Sequence, residues 1–447
     1  MPDQRRYRYD PDNVTDFIFS RRADNNVRRF SNLDDSAEDW GVDLDLPLEF
    51  GSAVATTLST GYRKLAKNRD SSIRRFQFGG TSTLSQEIRR RPSLEDIFNE
   101  ETIRPGGVEI GESTRSTDNY TAALDVEAYY GNLDITLFER LRFSVGARIE
   151  DWSQTVTTFA LFNDTAPPVV SELSENDLLP AASLTWFLTE RQQLRASFAE
   201  TLIRPDFKEL SPAPFTDPVL NREVIGNESL LPSDVTHYDL RWEWYPSPDE
   251  MVSLGVFYKL IDRPIELTVE AGVEQRLTFT NAVEAENFGV EFELRKELGF
   301  LARRWPRLGW LDRLFVAGNL TWIESEITIE DLGILTSSSR ALQGQSPYIA
   351  NLQFGYDDED RGLEATLLFN VVGSRIAEVG VLGAPDKKEA PAPQLDFILQ
   401  YRWNDWLGFK AKLGNLFDSP FEITQGSEVT QRYRTGRTLS LGVDLEF

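Results

Sequence analysis

The final stretch of this chain, QRYRTGRTLSLGVDLEF at residues 431–447, limits the possible folds more than any other segment. From Leu439 onward Leu439, Leu441, Val443, Leu445 and Phe447 alternate with Ser440, Gly442, Asp444 and Glu446. Period two is the mark of an extended strand, whose successive side chains point to opposite faces. A register slip of one residue would carry Asp444 and Glu446 to the apolar side, so both faces are firmly specified. One face meets an apolar medium and the other a polar one. A single strand of a soluble β-sandwich would look the same; repetition along the chain separates the two readings.

The pattern does repeat. Tyr120, Ala122, Leu124, Val126, Ala128 and Tyr130 alternate with Thr121, Ala123, Asp125, Glu127 and Tyr129. Residues 141–149, 182–188, 194–201, 238–244, 252–258 and 288–294 follow the same rule, as do segments near 315–324, 348–356, 363–372, 395–401 and 407–415. Toward the N-terminus, residues 6–9, 39–46 and 53–65 read as strands, with an Asn- and Arg-rich loop between the first two. Residues 66–118 read as the longest irregular connection; it contains SSIRRFQF and a short helix in SLEDIFNEE capped by Ser93. The count is about sixteen strands, joined by links that alternate short and long, the signature of a transmembrane β-barrel. One link at the short-turn end departs from this, the basic, Trp-bearing LARRWPRLGWLDR. The expected fold class is all-β, an antiparallel transmembrane barrel.

Composition agrees. No run approaches the ~18 apolar residues of a membrane helix, and a mean hydropathy of −0.37 is compatible with strands whose alternate residues face a wet lumen. A net charge of −25 argues against nucleic acid as a partner, since nothing would offset phosphate repulsion. The chain has no cysteine, so neither disulfides nor thiolate metal sites are available. Many of its ten Trp and thirteen Tyr lie near strand ends, where interfacial girdles would place them. MPDQRRYRYDPDN has no apolar core region or cleavage site, so no secretory signal is expected within it, and the chain is expected to be a fragment, a mature form or a reading frame begun at an internal start.

From about residue 118 to the end the chain resembles the barrel domain of TonB-dependent outer-membrane receptors. The stretches that carry the resemblance are LRASFAETLIRPDFKELSP, GNESLLPSDVTHYDLRWEWY, FYKLIDRPIELTV, FTNAVEAENFGVEFELRKEL, RALQGQSPYIANLQFGYD, LLFNVVGSRI and LGVDLEF. The resemblance implies a 22-stranded barrel, an N-terminal plug, and uptake of a scarce solute such as a siderophore or glycan with energy relayed by TonB. It places the protein in the outer membrane of a Gram-negative bacterium. About six strands, the plug domain and a TonB-box segment are expected to be missing, so TonB would act only through a plug region not in this chain. Residues 1–117 are expected to form N-terminal strands with long extracellular loops, and residues 118–447 the C-terminal strands of receptor type. Arg5, Arg6 and Arg8 make the first strand a poor lipid-facing partner for the last, because Arg at mid-membrane costs about 2–4 kcal/mol. A self-contained porin-like channel is the alternative; an outer-membrane enzyme or a soluble β-sandwich binding module is a more distant one.

Candidate ligand contacts are Arg204, Phe207, Arg340, Gln343, Gln345 and Tyr348, all expected near the barrel mouth. For Arg204, Pro205 and Phe207 an architectural role competes, with Pro stopping the ladder and Arg pairing with a lumen carboxylate. Phe447 is the expected signal for the barrel-assembly machinery, and outer-membrane lipid is the expected surroundings. The sole histidine, His237, has no companions at metal-ligand spacing. Asp357 to Asp360 read as a solvated turn, and Glu291 and Glu293 as lumen residues, so no catalytic residue, metal or cofactor is expected.

Overall fold

A computed structural model describes residues 3–7, 9–11, 17–20, 27–50, 54–163, 165–217, 222–269, 276–330 and 336–446. Among them fifteen strands of eight or more residues form one continuous antiparallel ladder. They are β1 (Val27–Phe50), β2 (Val54–Gly79), β3 (Asn119–Leu137), β4 (Leu141–Phe159), β5 (Val169–Thr189), β6 (Gln192–Ile203), β7 (Ser233–Ser247) and β8 (Glu250–Asp262). Then come β9 (Glu284–Glu297), β10 (Leu314–Thr328), β11 (Tyr348–Asp358), β12 (Leu363–Val372), β13 (Gln394–Asn404), β14 (Leu407–Gly414) and β15 (Thr438–Leu445). Each pairs with its successor, without a break at residue 118. Among the described residues β15 pairs with β14 alone, and β1 beyond Phe30 with β2 alone.

The register carries one face through the wall. Leu46, Leu58, Leu133, Val145, Ala182, Phe198, Tyr238, Tyr258 and Phe288 are successive cross-strand partners. Leu44, Val145, Leu240, Phe292, Leu320 and Leu441 on this face are all exposed, as a bilayer-facing surface requires. Aromatic side chains bound the band: Trp40, Tyr62 and Tyr129 lie in contact toward one edge, and Trp242 stacks on Trp244 toward the other. The opposite face is polar. Glycine appears there where an aromatic ring must lie flat on the sheet; a Cβ on Gly289 would come within 2.2 Å of the Phe257 ring.

Links alternate as expected. At one end the turns are tight: Phe138 (φ 51°) and Glu139 (φ 55°) make a left-handed turn between β3 and β4, a hand that suits strand twist. At the other end the connections are long and contain the small strands that follow β2.

Three expectations need correction. The strand read at residues 6–9 is not a wall strand: Asp3–Arg6 pairs only with Val27–Phe30, and Tyr9–Pro11 forms a separate hairpin with Phe17–Phe19. Residues 27–38, read as loop, belong to β1, and residues 66–79, read as irregular, belong to β2. The physical reason is the same for both. These segments project beyond the apolar band, where no hydrocarbon imposes an apolar face and burial comes instead from neighbouring loops, as at Ile73, Arg75 and Phe78, so the period-two signal disappears. The helix in SLEDIFNEE is present as Leu94–Ile97, with the Ser93 hydroxyl accepting from the Asp96 amide at 3.1 Å.

Candidate functional site

The polar face at the long-loop end is lined by charged clusters, the first built on the segment after β6. Pro205 cannot donate to the ladder, and Asp206 then caps the helical turn Phe207–Leu210, with Glu209 reaching back to the Asp206 amide at 2.8 Å. The turn buries Phe207 and Leu210 against Tyr120, Ala122, Val156, Ala213 and Leu230. Apolar residues on the inward side of β3 and β4 are therefore covered by this segment. Lys67 Nζ and the Arg69 guanidinium stand 5.4 and 5.3 Å from the Phe207 ring centre. Arg204 donates to Glu150 and lies 4.6 Å over the Trp152 ring, while Gln154 Nε2 donates to the Pro205 carbonyl at 2.7 Å.

A second cluster occupies the projecting ends of β1 to β3. Arg29 and Arg75 are direct cross-strand partners, so two guanidinium groups arise side by side on the polar face. Like charges directly opposite each other repel. Arg75 is neutralised by Asp118, its Nε donating at 2.7 Å. Arg29 forms no ion pair among the described residues; its one hydrogen bond goes to Thr216 Oγ1 at 3.5 Å. Burial, together with the charge of Arg75, lowers Arg29 to about 10. Nearby, Glu223 receives Arg115 at 3.0 Å and Arg276 at 3.5 Å. Burial alone would raise Glu223, but the Arg115 hydrogen bond and the charges of Arg115, Arg75 and Arg276 hold it below the ordinary glutamate value.

The third cluster joins three loops. Arg340 donates to Glu266, both nearly inaccessible, and Glu266 also accepts the Gln343 amide at 3.1 Å. Gln343 Nε2 donates to the Ala377 carbonyl at 2.8 Å. A cleft of about 400 Å³ beside them is lined in part by Arg340, Gln345, Ser374, Arg375, Asp386 and Lys388. Arg340 Nε, Gln343 Oε1 and Arg204 Nε are buried polar atoms with no hydrogen-bond partner among the described residues. They retain capacity for a solute or water.

The six sequence-derived candidates thus separate. Arg204 and Phe207 belong to the first cluster, with Phe207 buried in the core. Arg340 and Gln343 meet at Glu266, and Gln345 lines the adjoining cleft. Tyr348 stands at the long-loop end of β11 but pairs with Trp322 on the exposed apolar face, turned outward. Phe447 lies outside the described residues, as does Arg8. His237 sits on the polar face, within 2.8 Å of Thr201 Oγ1. Asp358 caps the tight turn Glu359–Arg361 and pairs with Arg313, and Glu293 pairs with Arg241. Among the described residues no three His, Asp or Glu side chains are placed to hold a metal.

Arg29, Arg75, Asp118, Glu150, Glu223 and Glu266 were not among the sequence candidates. Arg75 lies in the SSIRRFQF stretch, where Arg74 and Arg75 alternate faces once the segment is known to be a strand. That alternation is the signal that could have identified it.

A TonB dependent receptor-like, beta-barrel family matches residues 3–444. No curated protein matches the chain. Among solved structures, the ferric citrate transporter FecA in its unliganded form matches with a TM-score of 0.66 at 13% identity, covering 96% of this chain and 57% of that one. The ferric-catecholate import receptor Fiu from Escherichia coli K12 matches with a TM-score of 0.61 at 16% identity, covering 94% and 55%. The siderophore receptor PiuA from Acinetobacter baumannii matches with a TM-score of 0.60 at 12% identity, covering 94% and 56%. The chain spans little more than half the length of each, and at these identities the likeness is one of fold.

Proposed function

Since the chain belongs to the TonB-dependent receptor-like β-barrel family, whose members are outer-membrane receptors and transporters, we propose that it supplies barrel wall and mouth to an active importer of a small anionic metal chelate. The observation that carries the cargo class is Arg29. It is a half-buried guanidinium beside a second arginine, and among the described residues it forms no ion pair, although the charges of Asp118 and Glu223 act on it. A carboxylate or catecholate oxygen reaching Arg29 would add a charge-assisted hydrogen bond to it. The overall acidity of the chain favours neutral or cationic cargo, but charge immediately around the solute outweighs distant screened charge. Energy would come from TonB through a plug, the apolar band would contact outer-membrane lipid, and the C-terminal strand would be read by the barrel-assembly machinery. The ferric chelates named for FecA and Fiu are the natural probes.

The test is titration of the full chain in detergent with ferric citrate and, separately, with a neutral ferric trihydroxamate. Saturable binding of ferric citrate, weakened about tenfold or more by Arg29→Ala while the hydroxamate is unaffected, is expected from loss of one charge-assisted contact. Equal affinity for both chelates, or citrate binding indifferent to Arg29→Ala, would overturn the anionic-cargo reading.

A further inference from the structure

The link between β9 and β10 is the long exception at the tight-turn end. It folds as a helical turn Gly299–Arg304 followed by a 3-10 stretch Pro306–Arg313. Ala302 and Leu311 are buried and fasten it to the strand ends, whereas Phe300, Trp305, Leu308 and Trp310 are exposed, Trp305 by 52% and Trp310 by 50%. Arg303, Arg304 and Arg307 are also exposed, and none forms an ion pair among the described residues. In a chain of net charge −25 this is a local reversal of sign.

Its position fixes which side it faces. Lys296 alternates with Phe288, Val290, Phe292 and Leu294 on the apolar face of β9 and is salt-bridged to Glu250 at 2.6 Å. Lys296 Nζ lies 5.8 Å from the Phe300 ring centre, so Phe300 continues the apolar face just past its edge. The segment therefore borders the band on its outer side. Exposed indole rings beside a bilayer band sit at headgroup depth, and guanidinium groups bind phosphate with two parallel hydrogen bonds.

We propose that residues 300–310 form a docking surface for anionic glycerophospholipid headgroups of the leaflet at the tight-turn end, which is the periplasmic leaflet in barrels of this kind. Aromatic side chains enter the interface, and Arg303, Arg304 and Arg307 hold phosphates. The inference is independent of what the mouth binds.

The test uses the full chain reconstituted in nanodiscs of phosphatidylcholine and phosphatidylglycerol in equal parts, with retained lipid identified by native mass spectrometry. Wild type is expected to retain phosphatidylglycerol in preference, with the preference falling as salt rises. Replacing all three arginines with Glu should reduce it by on the order of tenfold to a hundredfold, and replacing them with Lys should largely keep it. Unchanged circular dichroism establishes that the variants fold. No preference in wild type, a preference that survives the Glu variant, or saturable capture of a soluble acidic protein by the three arginines with no lipid preference would overturn the proposal.

Discussion

Arg75 and Asp118 form a fully enclosed ion pair, with the guanidinium Nε 2.7 Å from one carboxylate oxygen and 2.9 Å from the other. Asp118 also accepts the Arg115 amide at 2.7 Å, and Arg75 reaches the Pro214 carbonyl at 3.4 Å. The pair thus fastens the projecting end of β2 to the entry of β3 and to the loop that follows β6. Removing one partner of such a pair leaves a buried charge without compensation, which costs about 3–5 kcal/mol. Asp118→Asn is expected to loosen this corner by that order, and Arg75→Met with Asp118→Leu to cost much less. Hydrogen exchange of residues 70–79 and 115–122 checks both; equal protection in Asp118→Asn and wild type would refute the assignment.

Phe207 anchors the segment that covers the inward side of β3 and β4. Phe207→Ala removes a buried aromatic side chain, with an expected loss of about 3–5 kcal/mol. The consequence should be local, because the wall strands are held by their own ladder. Limited proteolysis is expected to cut within residues 204–214 in the variant and to spare the strands in both proteins.

The two preceding sites also mark what could be read from sequence and what could not. Within the apolar band the medium imposes period two on one face, so Tyr238, Leu240, Trp242 and Trp244 announce their strand unaided. Past the band no hydrocarbon imposes an apolar face on β1 and β2, and burial there, as at Ile73, Arg75 and Phe78, comes from loops distant in sequence, so the strands around Arg29 and Arg75 carry no period at all. The alternation 120, 122, 124, 126 was legible, but its direction was not: upper β3 turns Tyr120 and Ala122 inward because the Phe207–Leu210 turn covers them. Local sequence cannot report a cover that arrives from residues some 85 positions away. Arg204 was legible as a partner for a lumen carboxylate, whereas its identity as Glu150 depended on the register of β4 against β5 and β6.

Glu223 gives a pH dependence with a definite sign. Its folded-state affinity for protons is depressed because Arg115 donates to it and Arg75 and Arg276 add positive charge, against the opposing effect of burial. A carboxylate with a depressed folded value stabilises the folded form above its unfolded value and loses that contribution as pH falls through the folded one. The contribution of Glu223 is therefore present at neutral pH and is lost progressively below the ordinary glutamate value of 4.5. Hydrogen exchange of residues 222–225 measured between neutral pH and pH 3 is expected to show acid loosening in wild type and none beyond the background in Glu223→Gln.

The wall makes the sharpest demand on side-chain direction at adjacent positions of β10. Leu320 lies in register with Phe292 on the exposed apolar face, whereas Thr321 lies in register with Glu291 on the polar face. Leu320→Arg would place a guanidinium against hydrocarbon at a cost of about 2–4 kcal/mol near the bilayer midplane. Thr321→Arg would place the same group opposite a carboxylate in a wet lumen, where an exposed pair is worth about 0–1 kcal/mol in its favour. Urea unfolding of the reconstituted chain is expected to show a lowered midpoint for Leu320→Arg alone. Similar midpoints for the two variants would mean that the face carrying Leu44, Leu240, Phe292 and Leu441 is not turned to lipid, and the membrane-spanning reading of the ladder would fail with it.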